Sequence, residues 1–169
     1  MKATSAEAAK LLRRLNEEHQ ALLLLEERSR QFVAAVSEDP ESVRPAYDFA
    51  AVQEQLGQLE EKIRRVKHAL NVFNSTHLVP GFDMTVDQML VYIPQLSQRK
   101  MKLQSMAAVL PKVRDTSAYA KNSTLIDYRY ANYDVAAATQ AAAAAADELA
   151  RAQTALDVLN NSEQMEIDL

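Results

Sequence analysis

The sequence contains only two glycines, Gly57 and Gly81, among its 169 residues. Folds made of many short strands, and α/β folds that bind nucleotides on glycine-rich loops, need more tight turns than two glycines support. Alanine, leucine, glutamine, glutamate and arginine are abundant instead, and these residues favour the helical conformation. The scarcity of glycine therefore predicts an all-α fold.

Apolar residues recur at alternating steps of three and four in four long segments, which is the spacing of one helix face. This apolar seam is unbroken from Phe49 to Phe73 and from Val135 to Leu159. The predicted helices span residues of about 5–37, 48–73, 84–110 and 133–159. We therefore expect one helical domain over residues 1–169, folded as an antiparallel long-helix bundle or coiled coil of about four helices.

Capping residues, prolines and the apolar spacing specify these helices in more detail. Ser5 is the expected N-cap of the first helix and Asp48 that of the second. Pro80-Gly81 predicts a turn before the third helix, and Pro94 predicts a kink within it. The seam of the first helix is predicted at Leu11, Leu15, Leu22, Leu25, Phe32 and Val36.

A small β element is predicted near one end of the helices, with strands at about 124–130 and 164–169. Ile126, Tyr128 and Tyr130 alternate with polar residues, which is the period of a strand. The partner of 124–130 is left open between residues 164–169 and residues 76–79, and we expect Ile167 to pack beside Ile126, Tyr128 and Tyr130, within one chain or between two. The polar residues 112–123 before it are expected to form a mobile connection.

The sequence lacks the residues or spacings that disulfides, reactive thiolates and helical zinc sites require. Without cysteine there is no disulfide or thiolate, and His19, His68 and His77 lack the spacing of a helical zinc motif. We therefore expect a protein that is not an enzyme and has no cofactor or metal. No segment approaches the roughly 20 apolar residues that cross a bilayer, and residues 1–10 lack the apolar run of a signal peptide. A cytoplasmic protein without membrane contact is the expectation.

Helix 1 has more leucines than one seam requires. Leu12, Leu23 and Leu24 widen its apolar face, and exposed apolar patches commonly mark protein–protein contacts. A second copy is the simplest occupant, because twofold homo-oligomers are the commonest assembly. We predict a homodimer with Leu12 or Leu23 in the interface, although burial against other helices of the same chain is an open alternative.

Cations of the second and third helices form a second candidate surface. Arg64, Arg65 and Lys67, together with Arg99 and Lys102, would contact phosphates if they shared a face. Tyrosines at positions 119, 128, 130 and 133 lie near other cations in the sequence and are able to stack on bases. The net charge of −4 argues against nucleic acid as the favoured partner.

The segments Val79–Thr85 and Ile126–Tyr130, within this order of helices and strands, resemble uncharacterised bacterial coiled-coil proteins of the septicolysin-like type. The resemblance implies a helical coiled-coil architecture and brings no catalytic residues. The leading hypothesis is a non-enzymatic coiled-coil scaffold or protein-interaction protein that binds itself or another protein. The alternative is a nucleic-acid-binding module that uses the basic face of helices 2 and 3.

Overall fold

The computed structural model describes residues 1–115 and 126–169, and these are mostly helical. The helices and strands follow this order: β1 (Lys2–Thr4), α1 (Ser5–Ser29), α2 (Pro40–Val43), α3 (Phe49–Thr76), α4 (Val86–Ala107), β2 (Lys112–Arg114), β3 (Tyr128–Tyr130), α5 (Val135–Ser162) and β4 (Gln164–Glu166). The described residues form two compact units. The first contains Met1–His77 and Leu159–Leu169, and the second contains Leu78–Val158. The predicted mainly helical class with a small β element is confirmed, whereas the four-helix coiled coil stays a prediction.

In the first unit α1 and α3 pack as an antiparallel pair, which we call the first helix pair. His19 faces Glu60, and Glu26 faces Gln53, so the two helices run in opposite directions. A stripe of buried or partly buried residues along α1 follows steps of three and four. It consists of Ser5, Ala8, Leu12, Leu15, His19, Leu22, Glu26 and Ser29, and Ala6, Leu11 and Leu23 beside it are partly buried too. The predicted α1 seam is therefore wrong in part, because Leu25 is exposed while polar residues occupy seam positions.

The predicted end of α1 near residue 37 is also wrong, since the helix ends at Ser29. With Glu26 opposite Gln53, Arg30 lies level with Phe49, the first residue of α3. Any further turn of α1 would have no partner helix to cover it, and an isolated helical turn is marginal in water. Val33 and Val36, beyond this point, are fully or almost fully exposed.

Side-chain caps begin both helices. Thr4 forms a capping box with Glu7, because the Thr4 amide donates to Glu7 Oε2 at 2.8 Å while the Glu7 amide donates to Thr4 Oγ1 at 3.2 Å. The N-cap is therefore Thr4 and not the predicted Ser5. Asp48 caps α3 as predicted, since its carboxylate accepts from the Ala51 amide at 3.0 Å.

The second unit contains α4 and most of α5, which we call the second helix pair. Tyr92 of α4 donates to Glu148 of α5, and Tyr133, just before α5, donates to the Met106 carbonyl at the end of α4, so this pair is antiparallel too. Pro94 lies inside α4, which continues through it. The predicted seam from Val135 to Leu159 has eight positions, and all of them except Val135 are buried: Ala138, Ala142, Ala145, Leu149, Ala152, Leu156 and Leu159. The seam of α5 is thus confirmed.

The Pro80-Gly81 turn is confirmed. Gly81 has a φ of +77°, which glycine adopts without strain, and the Val79 amide donates to the Met84 carbonyl at 2.9 Å across the turn. Thr85 is the N-cap of α4, and its amide donates to Gln88 Oε1 at 2.9 Å.

The strand pairings differ from those predicted. β1 pairs with β4, and β2 pairs with β3, in two separate antiparallel ribbons. Neither of the two predicted partners of residues 124–130 is the observed one, because β3 pairs with β2. The Ile167 amide donates to the Met1 carbonyl at 2.8 Å, and the packing of its side chain beside Tyr128 and Tyr130 stays a prediction. Residues 112–114 were expected to form part of a mobile connection and form a strand. Lys2–Thr4 and Lys112–Arg114 are short and mostly polar, so hydrophobic alternation does not mark them.

Candidate interaction surfaces

The first helix pair places polar side chains where its seam would ordinarily be apolar. Glu26 of α1 accepts hydrogen bonds from the Tyr47 hydroxyl at 2.8 Å and from Gln53 at 2.7 Å. Burial of Tyr47, together with its hydrogen bond to the Glu26 carboxylate, raises the pKa of this tyrosine. A further cross-helix contact joins His19 Nε2 to Glu60 Oε1 at 3.4 Å. These contacts match one register of the two helices, because a shift of either helix would leave partly buried polar groups without partners.

An open groove of about 440 Å³ runs along one side of the first helix pair. We call it the α1–α3 groove. Its apolar floor is formed by Ala21, Leu22, Leu25 and Leu59, and polar residues line its walls, namely Glu18, Gln55, Gln58 and Lys62. Leu25 is 57% exposed in this groove, so much of its apolar side chain faces solvent there. The groove can accommodate another apolar surface.

Leu12 and Leu23, the leucines predicted to form an interface, do not line the α1–α3 groove. Leu12 occupies a position of the α1 seam, and both Leu12 and Leu23 are partly buried. Leu24 and Leu25 are the exposed leucines of the run, at 52% and 57%. Leu24 points away from the α1 seam and lies on an open outer surface of α1 together with Glu17 and Gln20. The sequence pattern placed Leu25 in the internal seam and therefore did not predict that its side chain is exposed.

The residues of the predicted basic face are divided between the two units. Arg64, Arg65 and Lys67 belong to the first unit, whereas Arg99 and Lys102 belong to the second. Successive residues of a helix point about 100° apart, so Arg64 and Arg65 face different directions. Arg65 is also engaged by two carboxylates, at 2.7 Å from Glu61 and 3.2 Å from Asp168. Its charge is therefore largely compensated.

A second groove of the first unit lies between α3 and the C-terminal residues and has a volume of about 490 Å³. Phe73, Val72 and Met165 contribute apolar surface to it. The His77 ring stacks on Phe73 with 4.0 Å between ring centroids, and the Arg65–Asp168 ion pair lies at the opposite end. The groove combines apolar surface with an ion pair.

In the second unit, Tyr92 donates a hydrogen bond to the Glu148 carboxylate. This hydrogen bond and partial burial raise the pKa of Tyr92. A groove beside this helix pair is lined by Leu90, Ile93, Pro94 and Leu156 together with Gln153 and Asp157. Leu90 is 51% exposed there.

The β2–β3 ribbon also belongs to the second unit, and all six of its residues are exposed. Lys112 lies opposite Tyr130, Val113 opposite Arg129, and Arg114 opposite Tyr128. Arg129 pairs with Asp115 at 3.3 Å. Tyr119, which we expected to contribute to an aromatic and basic surface, lies outside the described residues.

Within residues 1–115 and 126–169 no three histidines or carboxylates lie close enough together to hold a metal ion. Across the same ranges, none of the helices combines the length and the apolar character needed to span a bilayer.

Comparisons with known proteins concern the fold alone. No family model matches the chain, and no curated protein does. A solved structure, described as a functionally unknown conserved protein from Corynebacterium diphtheriae, is similar over 98% of this chain and 100% of its own. The TM-score is 0.60 and the identity is 19%. The chain thus shares its fold with a conserved bacterial protein of unknown function, and the resemblance to septicolysin-like proteins stays a prediction.

Proposed function

We propose that this protein is a non-enzymatic interaction protein that associates with a second copy of itself through the α1–α3 groove. The observation that carries the proposal is the apolar floor of the groove, where Leu25 remains 57% exposed beside Ala21, Leu22 and Leu59. Burying exposed leucine surface is favourable, at about 25 cal/mol per Å² of apolar area. A side groove along an antiparallel helix pair fits another helix, because side-chain ridges pack into such grooves.

The charges of the groove favour an identical partner. Glu18 of α1 and Lys62 of α3 stand on opposite walls. Glu18 and Lys62 lie at the same end of the groove, so a twofold axis parallel to the helices, with the two grooves face to face, brings Glu18 of each copy near Lys62 of the other. Exposed ion pairs of this kind add little affinity, and they act mainly by selecting the orientation of the partner.

Light scattering coupled to size exclusion tests this proposal on the full chain. The wild type is expected to have the mass of a dimer at micromolar concentration, and Leu25→Glu that of a monomer, because a charge would enter the centre of an apolar contact. Leu24→Glu is the matched control, since it makes the same change one residue away on the outer face of α1 and should leave the dimer intact. A monomeric wild type, or equal loss of association in both variants, would reject the groove as the interface.

A further inference from the structure

Two tyrosines and two cations share one face of the β2–β3 ribbon. Lys112 is directly opposite Tyr130, and Arg114 is directly opposite Tyr128. Opposed residues of an antiparallel pair point to the same side, and positions two apart along a strand do so too. The contacts agree with this placement, because Lys112 Nζ lies 4.2 Å from the centre of the Tyr128 ring and 5.4 Å from that of Tyr130. We call these four residues the tyrosine–cation face.

The tyrosine–cation face is open to solvent. Tyr130 is 62% exposed and Tyr128 is 47% exposed. A two-stranded ribbon has little stability without cover, so two uncovered aromatic rings on one are unusual and point to a contact outside the ribbon.

The positive charge of this face is not neutralised within the described part of the chain. Neither Arg114 nor Lys112 makes an ion pair with residues 1–115 or 126–169, and the Lys112 ammonium lies over the two rings. The opposite face differs, because Arg129 is paired there with Asp115 at 3.3 Å. As far as the structure describes the chain, the ribbon has one neutralised face and one face with two available cations beside two aromatic rings.

We propose that the tyrosine–cation face binds single-stranded nucleic acid, with bases stacked on Tyr128 and Tyr130 and phosphates held by Lys112 and Arg114. The two ring positions are about 6.6 Å apart along the strand, which allows successive unpaired bases to occupy them. Stacking of a base on an aromatic ring is stronger than an exposed cation–π contact, so Lys112 leaves the rings for the phosphate when a base arrives. The rings favour this ligand over an acidic peptide, which would need only the cations.

The site is independent of the proposed self-association, because it lies in the second unit and uses none of the groove residues. It also differs from the basic face expected on α3 and α4. Duplex DNA is not a ligand of this kind, since its bases are already stacked on each other and offer no free face to the tyrosines.

Fluorescence anisotropy of a labelled single-stranded oligothymidylate of about ten nucleotides, at low ionic strength, tests the site. The wild type is expected to bind, with a slope of about −1.4 in the logarithm of affinity against the logarithm of salt concentration, as two phosphate contacts predict. Tyr128→Ala combined with Tyr130→Ala should lower the affinity at least about tenfold. Tyr128→Phe combined with Tyr130→Phe should retain it, because the rings remain.

The matched control is Arg64→Ala combined with Lys67→Ala, which removes two exposed cations of α3 and should leave binding unchanged. Circular dichroism shows whether each variant keeps its helices. The proposal is overturned if the wild type does not bind, if the phenylalanine variant loses as much affinity as the alanine variant, or if the α3 variant does. Equal binding of a duplex of the same length, or of an acidic peptide, would also overturn it.

Discussion

The seams of the two helix pairs differ in how many polar residues they contain. In α5 the seam is alanine and leucine after its first residue, Val135, and no polar side chain interrupts it. In α1 the seam includes His19, Glu26 and Ser29, while Leu24 and Leu25 lie outside it. Both seams follow steps of three and four. The difference shows that the partner helix, more than the number of leucines, decides which stripe of a helix is buried.

The polar positions of the α1 seam are compatible with burial because α3 and the residues just before it supply partners at matching positions. Tyr47 and Gln53 both donate to Glu26, and Glu60 meets His19. Such contacts add modest stability and favour one register over its neighbours. Alanine side chains cannot form such contacts, so the register of the α5 seam depends on how closely those small side chains fit.

The largest expected effect on the free energy of unfolding is the difference between a buried and an exposed leucine of α1. Leu15 is 5% exposed, so Leu15→Ala should lower the free energy of unfolding by about 2–5 kcal/mol. Leu24 is 52% exposed, so Leu24→Ala should change it by less than about 0.5 kcal/mol. Denaturant titration measures both. Equal losses would show that α1 buries a broader face than its seam.

The alanine seam of α5 should reject larger side chains. Ala152 is fully buried, so Ala152→Leu should destabilise the protein by about 1–3 kcal/mol through overpacking. Ala150→Leu, at an exposed position two residues away, is the matched control and should be nearly neutral. Thermal unfolding distinguishes them, and an Ala152→Leu variant as stable as wild type would mean that this stripe is loosely packed.

Each unit contains a tyrosine hydrogen-bonded to a glutamate, and these two tyrosines should respond alike to alkali. The pKa of Tyr47 is raised by burial and by Glu26, and that of Tyr92 by its hydrogen bond to Glu148 and by burial. Because both pKa values are higher when folded, their stabilisation is complete below the unfolded value of about 10 and is lost as pH rises through the folded values.

Ultraviolet titration of tyrosinate checks this prediction. The wild type should contain a late-ionising component that decreases in Tyr47→Phe and again when Tyr92→Phe is added. If neither substitution reduces it, the two hydroxyls do not contact carboxylates as described.

The smallest expected effect is a gain in stability within the first helix pair. Gly57 is exposed inside α3, and a Cβ atom built there would meet no other atom within 4 Å. Gly57→Ala should therefore stabilise the protein by about 0.5–1 kcal/mol, since alanine loses less conformational freedom in a helix. A loss of stability in denaturant titration would reveal a close neighbour at this position.

The comparison of the two pairs also explains what the sequence could predict. The seam of α5, the Asp48 cap and the Pro80-Gly81 turn depend on local residue chemistry, and all three are confirmed. The seam of α1 depends on which residues of α3 face it, so its polar positions were missed. The end of α1 at Ser29 likewise follows from where α3 begins.

The candidate surfaces were harder to predict for the same reason. Leu12 and Leu23 were chosen because they lay outside the predicted seam, and the true seam includes Leu12. The tyrosines of β3 were identified as exposed aromatic candidates, but their cationic neighbours come from Lys112–Arg114, a segment without strand alternation. Pairing between short polar strands is decided by tertiary contacts that a single sequence does not display.

The most direct test of self-association through the α1–α3 groove is zero-length cross-linking of carboxylates to amines in a mixture of two copies, one labelled with heavy nitrogen. We expect a cross-linked peptide pair that joins Glu18 of one copy to Lys62 of the other, with the two peptides carrying different labels. Glu18→Gln should abolish this product, and Glu17→Gln, one residue away, should not. Cross-links at Glu18 found only between peptides of the same label, in a sample at micromolar concentration, would contradict the account.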